Sequence, residues 1–561
     1  MPPQARKPNI FAILAPYRAA IGALVGLTIG ANILTLVIPR LVAHGIDAYA
    51  HGTLVLRTLS IEFIAVSVGM LIFSYGQSAL QAYAAERAAK DLRDKMAEKI
   101  SEMSYQKLEE QSTGKLLTNL TSDIDAVKLF ISNAVAQIVA SLCLIVGASV
   151  ILLRMDWKLA LVVIAIIPAI GVLFFFVFKS LGPLFFRSQG IIDRLNASIN
   201  ESILGSALVR VFDSKEYEVE KFSRQNTEAR DNGMKILRLF SMVIPTVGII
   251  ANAATVGILS LGGHFIIQGS MTLGEFTAFQ SYVFILIFPI IILGFMSNVV
   301  SRAQASYGRI EGILSLPPEA EKGTLEGPIK GAIEVRDLSI SYGEKQALKH
   351  VSFTVPAGSK TAIIGPTAAG KTQLLYALIG LVKPTEGGVF YDGQPIEAYT
   401  RKALHKDVAI VFQDSVMFNM SLRDNVAFSK ESSDDALRKA IDVAELRGLV
   451  DSLSQGLDSM VSERGTSLSG GQKQRIMLAR ALALDPKVIL LDDFTARVDS
   501  ATEEKILSNI SREYPGMTVV SVTQKVSSAR AFDQVVLLME GEALAAGSHD
   551  ELLSTSTEYA Q

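Results

Sequence analysis

Six apolar runs, each long enough to cross a hydrocarbon layer, occupy roughly the first 300 residues of this 561-residue chain. A helix needs about 20 apolar residues to span ~30 Å of hydrocarbon, and the runs lie near 19–38, 61–83, 131–153, 157–178, 239–263 and 276–300. One such run can be a buried globular helix. Six in one half mark a membrane domain, because backbone amides in lipid must be satisfied inside the segment. The first run follows Arg6, Lys7 and Arg18 and precedes Ala48-Tyr49-Ala50, as a secretory leader would. It is too long for a leader's apolar core, and five more spans follow, so it is read as a retained span.

Connection lengths alternate. Residues 84–130 and 179–238 are long, charged and rich in helix formers, whereas 154–156 allows only a tight turn and 264–275 holds no Lys or Arg. Arg87, Lys90, Arg93, Lys95, Lys99, Lys107, Lys115 and Lys128 crowd the first long loop, and a second basic set runs from Lys179 to Arg238. The positive-inside rule places those loops, the N terminus and everything after the sixth span in the cytoplasm of a multi-pass protein of the inner (plasma) membrane. The stretch 84–103 has no Pro or Gly, so the second span is expected to continue as a helix beyond the membrane.

Mean hydropathy is +0.35, and the membrane half supplies most of it. Residues 315–331, rich in Pro, Gly and charge, read as a linker between a membrane domain over 1–314 and a soluble domain over 332–561. A net charge of −2 gives no basis for a nucleic-acid partner, which needs clustered excess Lys and Arg. The single cysteine, Cys143, lies in an apolar run, which excludes an intramolecular disulfide and favours a packed, inert thiol.

In the soluble half, a short β-type run ends at Ile364 and meets Gly365-Pro366-Thr367-Ala368-Ala369-Gly370-Lys371-Thr372, which opens an amphipathic helix. This is the G-x-x-x-x-G-K-[ST] phosphate loop in its strand-to-helix setting. Its backbone amides and helix N-terminus favour an anion, Lys371 would reach the β- and γ-phosphates, and Thr372 would place its hydroxyl on Mg²⁺. Ala368 and Ala369 fit because those positions contribute mainly backbone. About 120 residues on, VILLD (488–492) reads as a buried parallel strand that delivers Asp492 to the same ion.

Between these motifs stands SLSGGQKQRIMLARAL, 467–482. LSGGQ followed by a basic helix resembles the signature of ATP-binding cassette (ABC) proteins. The resemblance implies that Ser469, Gly470, Gly471 and Gln472 act on nucleotide held by a second cassette, so a dimer is required. It also implies roles for Tyr342 (stacking on adenine), Gln413 (joining the magnesium site to the membrane domain), Glu463 (the acid before the signature) and Asp499 (the loop facing the partner). The membrane half resembles the exporter-type, type IV half-transporter, in which six helices with long cytoplasmic extensions precede an α/β ATPase. Segments 113–128, 154–161 and 262–279 carry that likeness, and short coupling helices are expected near 104–112 and 211–218.

Two positions depart from the family. Asp493 stands where a glutamate usually polarises the attacking water, and Gln524 stands where a switch histidine usually meets the γ-phosphate. Removing one methylene withdraws a carboxylate by ~1.5 Å, and a general base must lie within ~2.6–3.2 Å of its proton. Gln still hydrogen-bonds a phosphate but never becomes cationic. Both losses fall on the site of this chain's own phosphate loop, whereas LSGGQ, which serves another chain, is intact.

The expected protein is therefore an ATP- and Mg²⁺-dependent transporter subunit paired with a second half-transporter, moving drugs, lipids or peptides through membrane lipid. Three alternatives stay open: an importer of metal-chelating small molecules, a homodimeric exporter with Asp493 as weak base, and an ATP-gated channel or receptor. Asn32, Gln77, Gln137, Asn252, Gln280 and Asn298 are polar residues in or near the spans, expected either to line a pathway or to bond between helices.

Overall fold

The computed structural model describes residues 10–318, 323–428, 432–461 and 468–560. Among these, six helices are long and apolar enough to cross a membrane, as the hydropathy runs require: α1 (Ile13–Ala50), α2 (Leu56–Ser101), α4 (Thr113–Met155), α5 (Trp157–Leu204), α7 (Lys215–Ile267) and α8 (Leu273–Leu314). Two short helices lie between them, α3 (Tyr105–Glu110) and α6 (Ser206–Val211). The chain divides into two compact units, one of residues 1–101 and 112–316, the other of 102–111 and 317–561.

In the first unit, helix ends and packing follow local chemistry. α2 runs 46 residues, roughly 69 Å at 1.5 Å per residue, well beyond a hydrocarbon thickness. The turn between α4 and α5 is set by Asp156, whose carboxylate caps α5 by accepting from the Leu159 amide at 2.8 Å. α8 opens with a capping box in which Thr272 and Glu275 exchange side-chain and backbone bonds. Asp47 of α1 reaches the same helix start, accepting from the Thr272 hydroxyl and the Gly274 amide, both at 2.8 Å. Further along, Asp123 of α4, nearly fully buried, accepts from Ser306 and from the Arg309 guanidinium of α8. Charges sequestered in this way persist only when paired.

The expected helix at 211–218 is displaced. Residues 206–211 form the short helix, and 212–214 are a turn before α7. Gly205 ends α5, and Asp213, at φ +48°, turns the chain into α7, so the break falls earlier than the family resemblance implied. The helix expected near 104–112 is α3, and its segment groups with the second unit, where the Tyr105 ring meets Tyr376 edge-on at 5.5 Å.

The second unit is built on two sheets. β1 (Ile333–Tyr342), β2 (Lys345–Val355), β4 (Glu386–Tyr391) and β5 (Gln394–Pro395) form an antiparallel sheet in the order β2-β1-β4-β5. The second sheet runs β10-β9-β3-β8-β7-β6, from β3 (Lys360–Ile364), β6 (Val408–Val411), β7 (Val488–Asp492), β8 (Thr518–Val522), β9 (Gln534–Met539) and β10 (Glu542–Gly547). Every residue of β7 and β8 is buried, as continuous apolar strands of a covered parallel sheet should be. Within 315–331, Ile329 is buried and its amide donates to Asp407, so the chain is tied to this unit before β1 begins.

Candidate nucleotide site

Ligands of open α/β sheets bind beyond the carboxyl ends of the strands, and the site is assembled there. β3 runs into the phosphate loop, which turns through Ala368 at φ +67° and Gly370 at φ +95° into α9 (Lys371–Leu378). No side chain caps α9, so its first amides are free to meet an anion. Gly370 suits its left-handed conformation. Ala368 does not, and carries a strain on the order of 1 kcal/mol.

Lys371 is 8% exposed and donates to the carbonyls of Gly365 and Pro366, both at 2.7 Å. The lysine thus folds over the loop's own oxygens, ready to exchange them for phosphate. Burial depresses its pKa, opposed by the nearby carboxylates of Asp493 and Asp492. Thr372 donates to Asp492 Oδ1 at 3.2 Å, while Asp492 Oδ2 is buried with no hydrogen-bond partner among the described residues. An orphaned carboxylate oxygen beside a threonine hydroxyl fits a small hard cation such as Mg²⁺. Burial raises the Asp492 pKa above the usual carboxylate value.

These shifts predict a narrowed pH window. Nucleotide binding needs Lys371 charged, so affinity falls on the alkaline side at a lower pH than for a solvated lysine. Cation dependence needs Asp492 ionised, so it fades on the acid side at a higher pH than for a solvated aspartate. Titration calorimetry of ATP with and without Mg²⁺, in buffers of different ionisation heat, checks both limbs. Flat affinity across the alkaline limb would show that Lys371 is not depressed.

β7 and β8 pair in parallel with Asp492 opposite Val522, so the residues just past each strand share one mouth. The Asp493 amide donates to the Val522 carbonyl at 3.2 Å, and Asp493 itself sits at φ +47°. Asp493 and Gln524 both line a cavity of about 540 Å³ together with Tyr342, Lys371, Thr372, Gln413 and Asp492. No histidine lines it among the described residues. Lys525, next to Gln524, pairs with the nearly buried Glu503 at 3.3 Å and is not part of the lining.

Ser469 and Asp499 stand outside that cavity. Ser469 caps α10 (Gly470–Leu482) in a capping box with Gln472. Asp499 caps α11 (Ser500–Glu513), accepting from the Thr502 amide at 2.9 Å, and these amide bonds lower its pKa. Glu463 lies outside the described residues. Two residues escaped the sequence reading: Gln373, which accepts from the Tyr342 hydroxyl at 2.6 Å, and buried Gln474, which donates to the Gln413 carbonyl at 2.8 Å. Gln474 follows LSGGQ by two residues, on a helix whose inward face could have been read from its period.

A phosphate loop on the central strand of a parallel sheet, with an orphaned carboxylate opposite, defines a nucleotide-hydrolysing domain, here joined to a six-helix membrane domain. Residues 21–290 match the family model of the ABC transporter transmembrane region, and residues 348–496 match a second family model, described as ABC transporter. The chain belongs to the ABC transporter family. It is 30% identical to the uncharacterized ABC transporter ATP-binding protein YfiB of Bacillus subtilis (strain 168), covering 88% of this chain and 87% of that one. It is 29% identical to an ATP-dependent lipid A-core flippase of Desulfotalea psychrophila (strain LSv54 / DSM 12343), over 90% of this chain and 89% of the flippase. The structure of a bacterial Atm1-family ABC exporter with ATP bound superposes with a TM-score of 0.80 at 22% identity, covering 98% of each chain, which shows a shared fold. The protein is thus an ABC transporter subunit with an ATPase domain, and it shares the fold of that exporter.

Proposed function

We propose that this chain is the degenerate-site half of a heterodimeric exporter. It holds ATP in a slowly hydrolysing site of its own and lends its signature to a competent site on a second half-transporter. The observation that carries this reading is the joint placement of Asp493 and Gln524 in one phosphate cavity, with the intact Ser469-Gly470-Gly471-Gln472 stretch outside it. A homodimer would combine every intact signature with an impaired site.

In this reading Tyr342 stacks on the adenine, the loop 365–372 cradles the phosphates, and Lys371 exchanges the Gly365 and Pro366 carbonyls for phosphate oxygens. Thr372, Asp492 and Gln413 hold Mg²⁺, which when bound neutralises charge on the phosphates. Asp493 is too short to orient water closely against the γ-phosphate, and Gln524 contacts that phosphate without adding charge. Asp499 faces the partner. The ATPase domain lies in the cytoplasm below the inner (plasma) membrane. Cargo is a drug, lipid or peptide; relatives named as lipid A-core flippases and as a probable multidrug resistance transporter of Bacillus subtilis (strain 168) support the lipid and drug readings.

Affinity-tagged full-length chain, expressed from its natural genomic setting, should retrieve a second half-transporter with Glu and His at the positions matching Asp493 and Gln524. The pair should hydrolyse ATP and the chain alone should not. Robust ATPase and transport by the chain alone would overturn the reading.

A further inference from the structure

The polar residues of the spans do not share one role. Gln280 of α8 donates to the Thr255 hydroxyl of α7 at 3.0 Å, so it joins two helices. Asn32 and Thr35 of α1 turn back onto their own helix, donating to the Thr28 and Ala31 carbonyls. Gln137 of α4 is different, because it is exposed and makes no hydrogen bond among the described residues. A polar side chain at membrane depth is costly unless it meets protein, water or a ligand.

Gln137 opens onto a cleft of about 460 Å³ between α1, α4 and α8. Three stripes at helical spacing build it. Asn32 and Thr35 come from α1, and Gln137 and Ser141 from α4. Phe284 and Phe288, one turn apart and 61% and 70% exposed, come from α8. Asn32 lies 14 residues past Arg18, roughly 21 Å along α1, and Phe288 lies 15 residues past Leu273, roughly 22 Å along α8, so both are deep within their spans. Pro289 also lines the cleft. Having no amide hydrogen, it leaves the carbonyl of Ile285, another lining residue, without its usual helical donor. No Asp, Glu, Lys, Arg or His is among the lining residues.

We propose that this cleft is a cargo-recognition subsite that selects an uncharged aromatic amphiphile bearing hydrogen-bond donors. The assignment rests on the transporter reading above. Phe284 and Phe288 supply an apolar, ring-faced wall. Gln137 and the Ile285 carbonyl supply acceptors that would otherwise stay unsatisfied in a low-dielectric layer. A charged cargo would find no counter-ion there, and an unpaired charge at this depth is disfavoured by a factor on the order of 100.

The test uses the full-length transporter, with its co-purifying partner, in lipid nanodiscs. One photoactivatable aromatic amide is prepared in neutral, ammonium and carboxylate forms, together with an N-methylated neutral form that lacks the donor. The neutral donor form should label peptides of α1, α4 and α8, and the two charged forms should label at least about ten-fold more weakly. The N-methylated form should also label less well. Gln137→Leu should reduce labelling several-fold, Gln137→Glu should turn the preference towards the ammonium form, and Gln280→Leu, outside the cleft, should leave labelling unchanged. Equal labelling by all forms, undiminished labelling in Gln137→Leu, or label found only on lipid would overturn the proposal. If ATP-driven flux of the neutral probe persists with no label in the cleft, the subsite assignment fails and the transporter reading stands. If the cleft is labelled but ATP moves no probe in either direction, the transporter reading fails, and with it the role of the cleft in cargo recognition.

Discussion

Replacing Asp493 by Glu and Gln524 by His is expected to raise hydrolysis at this chain's own site on the order of 100-fold, since a misplacement of about 1 Å costs roughly that much. The added methylene returns ~1.5 Å of reach to the carboxylate. Both side chains already open on the phosphate cavity, so neither has to be redirected by a backbone change. Asp493→Glu alone should recover most of the gain, because the missing reach belongs to the group that orients water. Gln524→His alone should recover little. Glu tolerates the left-handed backbone at this position less well than Asp, so the variant should melt slightly earlier, by an amount on the order of 1 kcal/mol. Single-turnover hydrolysis, measured with the partner's site disabled, reads the effect. A rate unchanged in the double variant would show that Asp493 and Gln524 do not limit the site.

The opposite asymmetry is expected at the signature. A Cβ on Gly471 would fall 2.7 Å from the Arg497 carbonyl oxygen, a backbone atom that cannot swing aside. Gly471→Ala should therefore displace the start of α10, whose first amides would face the partner's nucleotide. Loss of one preorganised donor of this kind costs on the order of 100-fold, so turnover of the assembled transporter should fall by about that factor. Asp493→Asn should hardly change it, because the proposed division of labour leaves the rate to the partner's site. Steady-state ATPase of the two variants, with melting curves to exclude misfolding, separates them. Equal losses would mean that both sites carry comparable turnover.

Much of this architecture was legible because its signals are local. Hydropathy runs locate all six spans, and the phosphate loop and VILLD depend on short patterns whose strand and helix neighbours are also local. The illegible parts depend on distant partners. The short helix fell at 206–211 rather than at the 211–218 implied by the resemblance, because Gly205 ends the preceding helix and a left-handed Asp213 turns the chain after it. The resemblance implies a coupling helix near 104–112, but not the contact that accompanies its grouping with the ATPase unit, Tyr105 meeting Tyr376 some 270 residues away. Gln137 and Gln280 diverge because Gln280 bonds Thr255 of a neighbouring helix, whereas Gln137 makes no hydrogen bond among the described residues. Asp493 and Gln524 were visible as departures from a family pattern. Their shared cavity depends on the Asp492 to Val522 register of two strands.

The division of labour between two nucleotide sites is the central claim, and trapped nucleotide tests it most directly. The assembled transporter would be supplied with radiolabelled photoreactive ATP, allowed to turn over with vanadate present, cross-linked, and separated into its two chains. Intact ATP on this chain and trapped ADP on its partner is the predicted result. Trapped ADP on this chain, at a level equal to its partner's or in an assembly of this chain alone, would contradict the account.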